Sequence, residues 1–117
     1  MISKARSAAT ITALIAVIVS AGLRAADLSV EVLHGKGYFF LANKNSFDWA
    51  NCDLDLNDDF TFKIAFIKAY DILQIPAGDF TKRNGDRFNP ALTKALRMFI
   101  YCRQTPYGSL STTVSWR

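Results

Sequence analysis

The amino-acid sequence predicts an all-β fold: an antiparallel β-sandwich of seven or eight short strands, preceded by an N-terminal signal peptide helix. Three observations point there. From Leu28 onward, apolar residues alternate with polar ones at period two, where a helix would repeat about every 3.6 residues. Clusters of Gly, Asn, Asp and Pro recur at roughly the eight-to-twelve-residue spacing of small sandwiches. The acidic residues are nine Asp and one Glu, and Asp favours turns where Glu favours helix interiors.

Residues 1–21 read as a signal peptide. Lys4 and Arg6 form a basic start, residues 8–19 are uncharged and mostly apolar, and Val19-Ser20-Ala21 offers a signal peptidase site. The uncharged stretch can be extended over 7–23, so an uncleaved membrane anchor is the alternative. That stretch is short for a hydrocarbon core roughly 30 Å thick, and it is rich in Ala, Ser and Thr. A β-sandwich domain over 28–117 follows, periplasmic or secreted if the segment is cleaved and membrane-anchored if it is kept. In an oxidising compartment Cys52 and Cys102 are expected to pair; otherwise they are two buried thiols behaving as small hydrophobes.

Leu28, Val30 and Val32 alternate with Ser29 and Glu31 in a half-buried first strand, ended by His34-Gly35-Lys36-Gly37. A second strand covers 38–42, and Asn43-Lys44-Asn45-Ser46 is a turn cluster. Beyond it Cys52, Leu54 and Leu56 alternate with Asn51, Asp53, Asp55 and Asn57, which turns Cys52 inward. Phe60, Phe62, Ile64 and Phe66 alternate with Thr61, Lys63 and Ala65 in a fourth strand, for which a helix is the alternative. A short strand over 72–75 is closed by Pro76-Ala77-Gly78, and residues 79–82 lead into Asn84-Gly85, the strongest hairpin dipeptide in the chain. Pro90 opens a helical turn through Lys94. Leu96, Met98, Ile100 and Cys102 then alternate with Arg97, Phe99, Tyr101 and Arg103, so Cys102 also faces inward. Two inward cysteines on separate strands suit a bridge between facing sheets. Thr105-Pro106-Tyr107-Gly108 is a turn, and residues 109–116 form the last strand.

Phe47-Asp48-Trp49, then Ile75-Pro76-Ala77-Gly78, then Gly85-Asp86-Arg87-Phe88-Asn89-Pro90 carry a resemblance. In that order they resemble a small Ig-like β-sandwich module of exported or membrane-tethered bacterial proteins of uncharacterised function. In such modules an Asn-x-x-x-Phe-x-Trp stretch leads into an alternating strand, an Ala-Gly turn follows a long strand, and Gly-x-Arg-Phe precedes the penultimate strands. The resemblance spans roughly residues 38–116. It implies an Ig-like fold held by buried aromatics, turns and a loop-tying arginine, and it carries no catalytic residues.

The net charge of +4 includes Lys4 and Arg6, and cleavage of the leader leaves +2. The remaining basic residues are scattered along the chain, so nucleic acid is not an expected partner. Two cysteines and one histidine cannot fill a structural zinc site, and no cofactor is implied. Asp53, Asp55 and Asn57 match the opening of an EF-hand loop, yet the sixth position is Asp58 where Gly is needed and the twelfth is Ile64 where Glu is needed. An irregular calcium site using Asp58, Asp59 and Asp86 is the residual metal possibility. His34 is the sole imidazole, and with no Gly-x-Ser-x-Gly elbow it reads as a loop histidine. Gly35-Lys36-Gly37 reads as a hairpin turn, since no helix follows it as a phosphate loop requires. The single Glu31 gives no glycosidase-type carboxylate pair.

Aromatics are in surplus, and Tyr38, Tyr101, Tyr107 and Trp116 fall at edges, turns or outward positions suited to a sugar or a protein, Tyr101, Tyr107 and Trp116 being the binding candidates. The expectation is a non-catalytic binding or interaction module of the bacterial cell envelope, with a protein or glycan partner. The alternatives are a carbohydrate-binding module and a structural subunit associating through its sheet edges.

Overall fold

The computed structural model describes residues 27–116. The leader expected over 1–21, with its helix and its 7–23 anchor alternative, lies outside the described residues. The chain forms seven strands: β1 (Val30–His34), β2 (Tyr38–Asn43), β3 (Trp49–Leu56), β4 (Phe60–Ile67), β5 (Ile72–Pro76), β6 (Arg97–Gln104) and β7 (Leu110–Ser115). They make two antiparallel sheets, β1-β2-β5 and β4-β3-β6-β7. The helical alternative for β4 is not adopted.

One core draws on both sheets. Val32, Phe39, Leu41 and Ile75 come from the smaller sheet, and Trp49, Leu54, Leu56, Ile64, Met98 and Ile100 from the larger. Phe80 and Phe88, from the long β5–β6 connection, complete it; the Phe39 ring meets Phe80 edge-on at 5.2 Å. Each such large apolar side chain contributes about 1.5–3 kcal/mol on burial.

Turn chemistry follows the sequence. Gly37 takes φ 82° in the β1–β2 hairpin, and the β3–β4 turn places Asn57 and Asp58 at φ 55° and 60°, a region that Asn and Asp tolerate better than most side chains. Asn43, fully buried, is the hub of the 43–48 turn. Its amide donates to the carbonyls of Phe47 (3.0 Å) and Lys68 (3.1 Å), and its Oδ1 accepts from the Asn45 amide (2.9 Å). Asn45 Oδ1 in turn accepts from the Trp49 indole at 3.1 Å.

Several expectations are corrected. Cys52 and Cys102 do form a disulfide, but it does not join facing sheets. They are opposed partners on neighbouring strands β3 and β6, with Cα atoms 4.0 Å apart. The alternation of β3 reverses at Asn51, whose φ of 54° lets Trp49 and Cys52 both point inward. Its neighbour β4 reverses with it: Ile64 and Ile67 are buried, and Phe66, expected inside, is 53% exposed. Leu96 precedes β6 and is exposed; its carbonyl accepts from the Trp116 amide and its amide donates to Asn57. The 79–88 hairpin closes at Asn84-Gly85 but has no strand of its own, only a Thr81 bridge to Thr61 and Arg87. The single turn expected at Pro90 is present, the Thr93 amide donating to the Asn89 carbonyl at 2.9 Å.

Candidate functional site: an apolar sheet face and a neighbouring cavity

Of the four aromatics singled out from sequence, Tyr38 is exposed as expected, and the binding candidates Tyr101, Tyr107 and Trp116 do not come together. Tyr101 lies on the outward face of β6, half-buried, opposite Asp53 and Ser111, with the Arg103 guanidinium 5.2 Å from its ring centre. Tyr107 is exposed in the β6–β7 turn and meets Phe47 edge-on at 5.3 Å. Trp116 is committed to the fold: its indole N–H donates to the Val32 carbonyl at 3.2 Å, and its ring packs against His34 at 4.8 Å. Its hydrogen-bonding edge is therefore spent inside the protein.

The three aspartates considered for calcium are each engaged with other partners. Asp58 pairs with Arg97, Asp59 with Lys82 at 3.4 Å, and Asp86 accepts from Asn84 at 3.2 Å in a different turn. Among the described residues no three His, Cys, Asp or Glu side chains are grouped for a metal.

The outward face of the four-stranded sheet carries charge. Asp53 sits between Arg103 (2.7 Å) and Lys63 (2.9 Å). The Arg103 hydrogen bond, then that from Lys63, holds its carboxyl below the ordinary carboxylate value. Asp55, next along the same face, is pushed up, first by desolvation and then by the charges of Asp53 and Asp58.

The outward face of the three-stranded sheet is different. A sheet with one face in water normally alternates polar residues outward. Here the register puts Leu33, Phe40 and Gln74 in one row, Glu31, Ala42 and Ile72 in the next, and Tyr38 beside Pro76. Leu33 is 58% exposed, Ile72 63%, Tyr38 43% and Phe40 39%. The one charged member, Glu31, is 3.9 Å from Lys44. A contiguous exposed apolar face marks an interaction site more often than a solvated surface does. The sequence signal for it was residues 38–42, an apolar run without alternation: the inward set Phe39 and Leu41 fills the core, and the outward set Tyr38, Phe40 and Ala42 is equally apolar.

Beyond Tyr38 the face runs into a cavity of about 540 Å³ between the β1–β2 hairpin and residues 90–95. Buried Phe39, Ala77, Phe88 and Ala95 form its apolar floor. His34 is at its edge, and among the described residues the imidazole makes no hydrogen bond to a carboxylate; its neighbours are the rings of Trp116 and Phe39.

In comparison with known proteins, the chain matches no family model, no curated protein and no solved structure.

Proposed function

We propose that the chain is an exported, non-catalytic interaction module of the bacterial cell envelope that docks a protein through the outward face of its three-stranded sheet. The observation that carries this reading is the exposed apolar set Leu33, Tyr38, Phe40 and Ile72 on a face where solvation calls for polar residues. Export is supported by the basic start and apolar run of the leader and by the Cys52–Cys102 bridge, which fits an oxidising compartment. An Ig-like assignment draws support from the connectivity. Taken in chain order as Ig strands A, B, C, C′, E, F and G, the strands fall into sheets A-B-E and C′-C-F-G. The bridge departs from the antibody pattern, since it joins C to F within one sheet. The carbohydrate-binding alternative draws less support, because Trp116 is held in the fold and Tyr107 stands apart from Tyr101.

The test is a photo-crosslinking residue at position 40, with position 113 on the opposite outward face as the comparison. The expected result is a discrete protein adduct from 40 that disappears with Ile72→Glu, and none from 113. Equal labelling at both positions, or an adduct indifferent to Ile72→Glu, overturns the reading. Export is checked by intact mass of the protein from fractionated cells. A chain beginning at Gly22 and lighter by the two hydrogens of one disulfide is expected, and a full-length membrane species with free thiols contradicts it.

A further inference from the structure

We propose that the cavity between the β1–β2 hairpin and the 89–95 loop is a binding site for a small monocarboxylate with an apolar body. The proposal goes beyond the docking face and stands or falls separately from it. The cavity, at about 540 Å³, lies in the range of small-molecule sites, which combine an apolar lining with a few placed polar groups.

Its floor is apolar and buried, and the lining residues with polar side chains, His34, Tyr38, Thr93 and Lys94, are all able to donate. Among the described residues no Asp or Glu lines it, and Lys94, the one Lys or Arg of the lining, has no carboxylate within 4.0 Å. A cation has no acceptor charge to meet there, and a polyanion would find one lysine among lining residues that are otherwise largely apolar. An apolar molecule ending in one carboxylate satisfies both halves, because hydrogen bonds between an ammonium and a carboxylate are among the stronger ones.

The outer wall is fixed before any ligand arrives. Asn89 Oδ1 accepts from the Ala91 amide at 2.9 Å, and the Asn89 carbonyl accepts from Leu92 (3.0 Å) and Thr93 (2.9 Å). Asn57 holds the far end, donating to the Lys94 carbonyl at 2.9 Å and accepting from the Leu96 amide at 2.7 Å. A wall tied at both ends lowers the ordering cost of binding. Leu92 is 83% exposed at the rim, available to cover the apolar part of a ligand.

Trp116 reports on the site, since its ring contacts cavity-edge His34, while Trp49 is fully buried elsewhere in the core. The experiment is a tryptophan-fluorescence titration of the purified chain with phenylacetate and with its neutral isostere phenylacetamide, repeated on Lys94→Gln. We expect a saturable change for the acid, about tenfold weaker binding of the amide, and loss of that preference in Lys94→Gln with amide binding retained. No saturable change with either compound up to about 10 mM overturns the site. Equal binding of acid and amide by the unaltered chain, or an unchanged preference in Lys94→Gln, overturns the assignment of a carboxylate ligand.

Discussion

Asn43 shows how much one side chain can organise in this fold. It is fully buried, and it joins three stretches of chain: the end of β2, the turn before β3 and the end of β4. Replacing it by Leu removes the amide but leaves the Phe47 and Lys68 carbonyls and the Asn45 amide without their partner. Asn43→Leu is therefore expected to cost about 2–4 kcal/mol, read as a lower urea midpoint with unchanged slope. Two carboxylates on the larger sheet act in opposite directions with pH. Asp53, lowered by Arg103 and Lys63, contributes stability that is present above its unfolded pKa and lost as pH falls through its lower folded one. Asp55, raised by desolvation, costs stability once pH rises above its folded pKa, and that cost is relieved on acidification. At about pH 7, Asp53→Asn should destabilise and Asp55→Asn should stabilise, and both differences should shrink toward about pH 2 in melts taken across that range.

At the scale of the element, period-two patterning was legible along every stretch of strand that keeps one face inward. Cys52, Leu54 and Leu56 on β3, and Met98, Ile100 and Cys102 on β6, are buried as their alternation requires. The pattern misled where the backbone changes hand. The Asn at 51 permits a positive φ without requiring one, and the exposure of Phe66 follows from that single dihedral through strand pairing. The inward direction of both cysteines was legible too, but inward residues are shared by facing sheets and by adjacent strands, and only the pairing of β3 with β6 separates the two cases. Because the bridge spans a separation of 50 residues, its loss releases chain entropy in the unfolded state worth roughly 4 kcal/mol. The strand ladder around it should persist. Guanidinium unfolding with and without dithiothreitol should show a lower midpoint on reduction with native far-ultraviolet dichroism retained; coincident midpoints would show that the bridge adds nothing to the pairing.

At the scale of the molecule, the two sheets are joined by their common core and by Trp116, which follows β7 of one sheet and donates to Val32 on β1 of the other. An aromatic near the chain end looks, from sequence, equally suited to a ligand or to the core, and the difference lies in a hydrogen bond to a carbonyl 84 positions away. The face at Leu33 and Phe40 was obscured for the converse reason, because an unbroken apolar run reads as burial on both sides. Phe40 and Trp116 therefore exchange the roles their positions suggest, and paired substitutions distinguish them. Trp116→Ala removes a ring packed on His34 and Phe39 and leaves the Val32 carbonyl without its donor, and it is expected to cost about 2–3 kcal/mol. Phe40→Ser removes a ring from the outward face and should stay within about 0.5–1 kcal/mol, while reducing retention on a hydrophobic column. If Phe40→Ser unfolded the protein as readily as Trp116→Ala in chemical denaturation, the outward ring would be a structural element, and the apolar face would lose its claim as a surface held open for a partner.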